Sequence, residues 1–280
     1  MREHEFTTAD GLTLHYDEYG TGDRVILSAQ AGFYPKGLQQ SLAEQGYHVY
    51  CMTLRGFAPS SFVTEDYGTG WYDRFADDVA CLADELGLDT FFYMGASHGA
   101  GVGWHLALRH PERVAAFVAV VPGPHSLAEG AMSYRQMLMQ GIISAPPPFD
   151  PPIEQDEARE ERRAERAEWL KSLPEADPRE KAVDYGRPLM GLGSEEKLQE
   201  ALKSIRTPVL ILGGAEDPIS TPALMMRTAQ CLPHCKLVMY SGFGHSGPYC
   251  QLIEECTEEI LNFPRNVETT GRVYKEIIEP

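Results

Sequence analysis

Short apolar runs alternate with segments of helical periodicity in the first part of the chain. Four runs predict strands buried on both faces, at residues 25–27, 48–54, 91–94 and 114–121. Three segments between them predict helices, at residues 36–45, 73–86 and 100–109. Residues 4–19 alternate around a turn at Asp10-Gly11, which predicts an antiparallel hairpin at the start. This order of elements predicts a parallel sheet covered by helices on both faces.

The alternation stops between residues 122 and 206, where no strand-like run occurs. Residues 126–143 predict a helix rich in methionine and leucine. Residues 153–173 carry charges of alternating sign and predict a solvent-exposed helix, and residues 195–205 predict a last amphipathic helix. This block predicts a helical insertion at the carboxyl edge of the sheet.

The α/β pattern resumes after the insertion. Two apolar runs predict strands at residues 208–214 and 236–240, and helices are predicted at residues 222–231 and 248–261. Residues 263–280 predict either a disordered tail or an extension that packs on the core or on a second subunit. The predicted domains are therefore a discontinuous core of residues 1–121 and 207–280 and a helical cap of residues 122–206.

The strand at 91–94 runs into Gly95-Ala96-Ser97-His98-Gly99, and a helical pattern follows directly. A G-x-S-x-G sequence in this context predicts a sharp strand-to-helix turn that holds the Ser97 hydroxyl at the edge of the sheet. The two glycines are needed because a Cβ at either position would clash where strand and helix approach each other. The helix start would also direct backbone N–H groups at negative charge beside the serine.

A serine hydroxyl needs a base that takes its proton and an acid that orients the base. His245 and Asp217 are the candidates, because each follows an apolar strand and parallel strands end at one edge of a sheet. Glu216 is the neighbouring alternative to Asp217. The spacing Gly214-x-x-Asp217-Pro218 favours Asp217 as the acid.

These motifs together resemble those of the α/β-hydrolase family. The resemblance rests on the sequences at 95–99, 214–218 and 242–245, and on Arg55-Gly56-Phe57-Ala58-Pro59-Ser60. It covers residues 4–262 and implies an eight-stranded, mostly parallel sheet, a helical cap and a substrate pocket between cap and core. The chain order serine, aspartate, histidine is that of the family. Hydrolysis at such a site would need no metal and no organic cofactor.

The resemblance implies an oxyanion hole made of two backbone N–H groups. The matching residues are His98, directly after the serine, and Phe33, in the loop after an early strand. This chain has Ala31-Gly32 where relatives usually have His-Gly, but a backbone donor does not need the histidine side chain.

Four residues are candidates for substrate binding. Gly32 lies in the early loop, and Tyr134, Met137 and Met190 lie in the predicted cap. The cap side chains would give the pocket an adaptable, largely apolar roof. Packing of the cap on the core is the alternative role for each of them.

His98 has two interpretations. Its side chain either packs as a polar residue in the interior or faces the pocket and contacts the substrate. A Ser-His-Gly turn also resembles that of cofactor-independent dioxygenases of this fold. Those relatives take the acid of their His/Asp pair from the loop after the strand that follows the serine. Here that loop is Pro122-Gly123-Pro124-His125, without a carboxylate, so hydrolysis is favoured.

The residues around the serine narrow the reaction. Ser97 in place of an aspartate disfavours the dehalogenase and epoxide hydrolase branches, and Ala96 in place of asparagine disfavours hydrolysis of carbon–carbon bonds. We expect hydrolysis of an ester or lactone of a medium-sized, largely apolar small molecule, through an acyl-enzyme on Ser97. A dioxygenase, a C–C bond hydrolase and a non-catalytic small-molecule receptor are the alternatives.

Composition limits the partners and the compartment. The 280 residues carry a formal net charge of −17, which opposes binding to nucleic acid or to an anionic membrane. The N-terminus lacks an apolar signal core, and no apolar stretch approaches the roughly 18 residues of a membrane span. The six cysteines are interpreted as reduced thiols. We expect a cytoplasmic enzyme with a small-molecule substrate, and the tail leaves a homodimer open.

Overall fold

The computed structural model describes residues 1–32, 34–145, 148–150, 157–172, 177, 179, 185–270 and 276–277. Its strands form one sheet in the order β1-β2-β4-β3-β5-β6-β7-β8-β9. The strands are β1 (Arg2–Thr7), β2 (Thr13–Tyr19), β3 (Arg24–Gln30), β4 (Tyr47–Thr53), β5 (Phe91–Ala96), β6 (Val114–Val120), β7 (Val209–Gly214), β8 (Cys235–Tyr240) and β9 (Glu276–Ile277). The predicted fold class is confirmed, and the two-residue β9 extends the eight predicted strands.

Pairing is antiparallel only at the start of the chain, where β2 pairs with β1 and β4. All other neighbouring pairs run parallel. The helices are α1 (Gly37–Glu44), α2 (Trp71–Glu85), α3 (His98–Arg109), α4 (Tyr134–Met139), α5 (Glu157–Ser172), α6 (Glu195–Ser204), α7 (Pro222–Cys231) and α8 (Ile253–Thr270). Because parallel strands share a direction, the loops after β5, β7 and β8 meet at one edge of the sheet.

The central strands are buried on both faces, as their continuous apolar runs predict. All six residues of β7 are buried, and its register places Phe117 of β6 opposite Val209. Helix α3 lies close to the sheet because its glycines carry no side chain. A Cβ on Gly103 would lie 2.2 Å from the ring of Phe117, and one on Gly101 would lie 2.4 Å from Tyr72 of α2.

The β6–β7 segment (residues 121–208) contains helices and loops and no strand among its described residues. The predicted helix at 126–143 is wrong in its extent, since only α4 is helical there. Ser133 caps α4 by a reciprocal pair of hydrogen bonds with Gln136, which fixes its start. Gly130 and Gly141 flank α4 with φ of +77° and +68°, so the backbone cannot continue as a helix through either.

The end of the chain also differs from the expectation. Helix α8 continues past residue 261 to Thr270, and Glu276–Ile277 pairs with β8 in parallel. These residues therefore follow the alternative of an extension on the core, while 271–275 and 278–280 lie outside the described residues. Within the described part of the chain, no helix is both long and apolar enough to cross a bilayer. All six cysteines are free thiols.

Arg55, in the loop after β4, forms a buried ion pair. The Arg55 guanidinium binds Asp78 of α2 through Nε at 2.7 Å and Nη2 at 2.5 Å, and both side chains are 2% exposed. Nη1 reaches Asp10 in the β1–β2 turn at 2.7 Å. The hydrogen bonds from Arg55 hold the pKa of Asp10 down at about 2. One side chain thus ties the hairpin, the loop after β4 and helix α2 together.

We predict that Arg55→Met lowers the free energy of unfolding by ~3–5 kcal/mol, because it leaves the Asp78 carboxylate buried without its partner. Urea denaturation at neutral pH measures the loss. Lys171→Met is the control, since its ion pair with Glu168 is largely exposed, and its stability should match that of the wild type. An Arg55→Met protein within ~1 kcal/mol of the wild type would contradict this role for the pair.

Candidate active site

Ser97 occupies a strained turn between β5 and α3. Its φ is +50° and its ψ is −104°, a conformation that a residue with a side chain rarely adopts. Two backbone hydrogen bonds hold it, from Ser97 N to Val120 O at 2.9 Å and from Gly101 N to Ser97 O at 3.0 Å. The serine hydroxyl is thereby fixed at the carboxyl edge of the sheet.

The two glycines of the turn are there because neighbouring backbone occupies the space of a side chain. A Cβ on Gly95 would lie 2.1 Å from the carbonyl carbon of Gly99. A Cβ on Gly99 would lie 2.2 Å from the carbonyl oxygen of Ala29 in β3. The steric requirement predicted from the sequence is therefore met at both positions.

Ser97, His245 and Asp217 form a continuous hydrogen-bonded chain. His245 Nε2 lies 3.1 Å from Ser97 Oγ, and His245 Nδ1 lies 2.8 Å from Asp217 Oδ2. Because the carboxylate only accepts, the imidazole proton belongs on Nδ1, and Nε2 is left to accept from the serine hydroxyl. His245 and Asp217 are 3% and 2% exposed, so the pair is shielded from water.

Asp217 is held rigidly on its other side. Its Oδ1 accepts hydrogen bonds from the backbone N–H groups of Ile219 at 2.7 Å and Ser220 at 2.9 Å. Glu216 points away from His245 and is exposed, and its carboxylate accepts from Gly242 N at 2.9 Å. Geometry thus brings Asp217, and not Glu216, to the imidazole.

The loop that carries His245 lies under the β6–β7 segment. Phe149 O accepts a hydrogen bond from His245 N at 2.7 Å, and Ser246 Oγ donates to the Asp150 carboxylate. A Cβ on Gly244 would lie 1.9 Å from Phe149 O, so the glycine permits this contact. Sequence reasoning missed Phe149 and Asp150. The second glycine of Gly242-Phe243-Gly244-His245 is the signal that another backbone approaches there.

Only one of the two predicted oxyanion donors, His98, lies among the described residues. His98 is the first residue of α3, so its N–H is among the four at a helix N-terminus that have no acceptor within the helix. Phe33 lies outside the described residues. Its neighbour Gly32 packs against the Arg55 loop, where a Cβ would lie 2.6 Å from Ala58 O.

A cavity of about 530 Å³ opens beside Ser97, His98 and His245. The β6–β7 segment provides much of its wall, with His125, Tyr134, Leu138, Phe149, Tyr185 and Arg187. The core adds further aromatic and apolar side chains, Tyr34, Tyr72, Ile219 and Tyr249. Aromatic and polar groups therefore share the wall.

One of the four candidate substrate-binding residues lies in the wall of the cavity. Tyr134 lines the cavity, whereas Gly32, Met137 and Met190 are not among the described residues that do. Tyr134 and Leu138 are four residues apart and share the cavity-facing side of α4, so Met137 points elsewhere. Met190 lies in a short turn after Leu189, and its side chain turns back towards Gly186. Of the three cap residues expected to line the cavity, Tyr134 does so, and Tyr185 contributes a second tyrosine that was not predicted.

The side chain of His98 faces the cavity. Its Nδ1 is hydrogen-bonded to Tyr72 Oη at 2.9 Å, and its Nε2 lies 3.5 Å from Tyr185 Oη. The rings of His98 and Tyr185 meet edge to face with centroids 4.9 Å apart. Of the two interpretations of His98, the geometry agrees with the one that places it in the pocket wall.

Two further wall residues, His125 and Arg187, were not predicted. His125 follows β6, at the carboxyl edge where functional loops gather, so its position was a usable signal. Burial lowers the pKa of His125 to about 4, so this imidazole is neutral at neutral pH. Burial also lowers the pKa of Arg187. Nothing in the periodicity around Arg187 indicated that it would reach the cavity.

The wall segment around Arg187 is attached to the core through His105. Leu189 N donates to His105 Nε2 at 2.9 Å, while His105 Nδ1 lies 2.7 Å from Asp73 Oδ1. The acceptor role of Nε2 places the imidazole proton on Nδ1, which donates to the carboxylate. Residues 185–189 are thereby fixed relative to α2 and α3.

One group of side chains away from the cavity has metal-ligand character. Among the described residues, Glu3, His15 and Asp17 bring one ligand atom each within 4.8 Å of one another. The Asp17 carboxylate is already paired with Lys36, which neutralises it. The group lies on β1 and β2 and takes no part in the Ser97 arrangement.

Comparison of the sequence with known proteins indicates the same fold as the structure. A family model described as the α/β-hydrolase fold matches residues 26–249. A bifunctional esterase/perhydrolase from Acinetobacter calcoaceticus is 23% identical over 293 residues, covering 93% of this chain and 99% of that protein. The 3-oxoadipate enol-lactonase 2 of Acinetobacter baylyi is 28% identical over 227 residues, covering 77% of this chain and 80% of that protein.

Solved structures share the architecture. A thermophilic esterase from Thermogutta terrifontis superposes with a TM-score of 0.72 at 22% identity, covering 96% of this chain and all of that one. At this identity the likeness establishes the fold alone.

We predict that Gly99→Ala lowers the free energy of unfolding by ~2 kcal/mol or more, because its methyl group meets the Ala29 carbonyl and helix α3 must move. Thermal or urea unfolding measures the change. The control is Gly70→Ala, a position with φ of −91° and no atom within 4 Å of an added Cβ. Equal stabilities for the two variants would show that the α3–β3 approach is not required.

Proposed function

The chain belongs to the α/β-hydrolase fold family, and from this premise we propose that it is a serine hydrolase that cleaves an ester or lactone bond through an acyl-enzyme on Ser97. The observation that carries the proposal is the hydrogen-bonded chain from Ser97 through His245 to Asp217, at the edge of a cavity of about 530 Å³. Similarity to an esterase/perhydrolase and an enol-lactonase supports this reaction class.

In the first half of the reaction, His245 Nε2 takes the proton of Ser97 Oγ as the oxygen attacks the carbonyl carbon of the substrate. Asp217 stays ionised and stabilises the imidazolium through Nδ1–H. The oxyanion forms at the N-terminus of α3, where the N–H of His98 and the positive end of the helix dipole stabilise it. Phe33 N–H is the proposed second donor. The imidazolium then protonates the leaving alkoxide.

In the second half, water enters and His245 Nε2 takes one of its protons. The resulting hydroxide attacks the acyl carbon, the same N–H groups hold the second oxyanion, and His245 returns the proton to Ser97 Oγ. The carboxylic acid product is then released, and the hydroxyl of Ser97 is regenerated. The strained backbone of Ser97 contributes by keeping Oγ in one place throughout both halves.

The size and walls of the cavity support a medium-sized small molecule as substrate. Tyr134, Leu138 and Phe149 offer aromatic and apolar surface, while His98 and its tyrosine partners offer hydrogen bonds. A dioxygenase reaction is less well supported, because Asp217 pairs with His245 and the residues directly after β6, 121–125, include His125 and no carboxylate.

We predict one covalent adduct when the protein is exposed to a fluorophosphonate probe, detected by intact mass. Ser97→Ala should lose both the adduct and the hydrolysis of p-nitrophenyl esters, with a fall of about 10³-fold or more in kcat. Ser204→Ala, in α6 and away from the cavity, should keep both.

An adduct or full turnover that persists in Ser97→Ala would disprove the acyl-enzyme. Absence of any adduct on the wild type, together with oxygen uptake on heteroaromatic substrates, would favour the dioxygenase instead.

A further inference from the structure

The charge of the cavity wall differs in sign from the charge of the whole chain. The chain has 41 acidic residues and a net charge of −17. Among the described residues that line the cavity there is one guanidinium, that of Arg187, and there is no carboxylate and no lysine. Asp217 stands behind His245 and does not reach the wall. His125 adds no charge, since burial keeps its pKa at about 4.

Arg187 has no carboxylate partner among the described residues, although it is half-buried. Its Nη1 donates to the backbone oxygen of Ser126 at 3.2 Å. Its Nε is buried and has no acceptor in the described part of the chain. The positive charge persists at neutral pH because guanidinium groups do not lose their proton in proteins.

Two other arginines of low exposure in the described structure each have a carboxylate partner. Arg55 binds Asp78 and Asp10, and Arg227 binds Glu195 at 2.6 Å. Glu195 lies near Arg187, since it accepts from the backbone of Leu127 at 2.9 Å, but Arg227 already neutralises it. Removing a cation from water without a counter-ion is costly, so an unpaired guanidinium in a cavity indicates that an anion from outside completes the pair.

We propose that the substrate of this hydrolase carries one carboxylate, away from the bond that is cleaved, and that Arg187 binds it. This inference rests on the proposed function of Ser97. A guanidinium presents a planar fork of N–H donors that matches a carboxylate. The one cation among the described wall residues balances a monoanion, whereas a phosphate monoester would bring about −1.5 to −2 charges.

The position of Arg187 is fixed relative to Ser97. Leu189, two residues later, is hydrogen-bonded to His105 of α3, and Tyr185, two residues earlier, packs on His98. Ser97 and His98 lie at the start of the same helix α3. A fixed distance between the guanidinium and the serine selects substrates by the number of atoms between carboxylate and ester.

The test compares pairs of substrates that differ only in charge. The first series consists of p-nitrophenyl half-esters of adipic, pimelic and suberic acid, each beside the ester of the matching ω-carboxamide. The second series places the carboxylate on the leaving group, as the acetate esters of 4-hydroxybenzoate and 4-hydroxybenzamide. For each pair, the ratio of kcat/KM isolates the contribution of the charge.

We expect a wild-type ratio of about 10- to 100-fold in favour of the carboxylate for at least one pair, the range of a hydrogen-bonded ion. In Arg187→Gln this ratio should fall below about 3-fold, and Arg187→Lys should keep an intermediate value because the charge remains without the fork. Arg2→Gln, which removes an exposed arginine of β1 paired with Glu18 of β2, is the control and should keep the wild-type ratio. Circular dichroism verifies the fold of each variant.

Two outcomes overturn the inference: no pair in either series shows a preference in the wild type, or the preference survives in Arg187→Gln. If Arg187→Gln does not fold, the wild-type ratios and those of Arg187→Lys decide. Failure of the proposed function is a separate result, because it requires Ser97→Ala to retain turnover. Hydrolysis that depends on Ser97 without any carboxylate preference leaves the serine hydrolase intact and removes only the role of Arg187.

Discussion

The site depends on the close approach of helix α3 to strand β3 at Gly99. Without a side chain there, the helix begins directly above the carbonyl of Ala29, and the chain must turn sharply at Ser97 to enter it. A strained backbone of this kind costs of order 1–3 kcal/mol and persists only where packing imposes it. Backbone contacts in the core therefore fix the position of the Ser97 hydroxyl and the direction of the N–H groups at the start of α3.

The remaining residues of the site lie on loops of the core and on the β6–β7 segment. Asp217 and His245 sit on loops that leave buried strands, and the backbone N–H groups of Ile219 and Ser220 lock the carboxylate. The β6–β7 segment is joined to the core by several hydrogen bonds between described residues, among them Leu189 N to His105 Nε2 and His245 N to Phe149 O. Under the proposed function, the reacting groups lie on the core, and the β6–β7 segment provides much of the wall that faces the substrate.

This division also explains what could be predicted from the sequence. Strand ends follow from apolar runs, so Ser97, Asp217 and His245 could be predicted from their positions after strands together with the motifs around them. The need for glycine at 95 and 99 follows from the close approach of strand and helix. The β6–β7 segment has no such frame. Helix α4 begins where it does because Ser133 caps it, and the hydrophobic periodicity does not reveal this cap. The helix predicted at 126–143 is therefore too long. For the same reason the sequence did not indicate Arg187, and it predicted Met137 as a cavity residue where the structure has Leu138.

The β6–β7 segment connects two strands that are neighbours in the sheet. Because β6 and β7 are parallel, the segment leaves at the carboxyl edge of the sheet, after Val120, and returns at the opposite edge, before Val209. Helix α6 directly precedes this return, and every described wall residue of the segment lies before α6. The entropy of closing a loop grows slowly with its length, so the part of the segment before α6 can change in length at small cost to the fold. Under the proposed function, exchanging that part would change the selectivity and leave Ser97, Asp217 and His245 in place, which makes it the natural site to graft another binding surface.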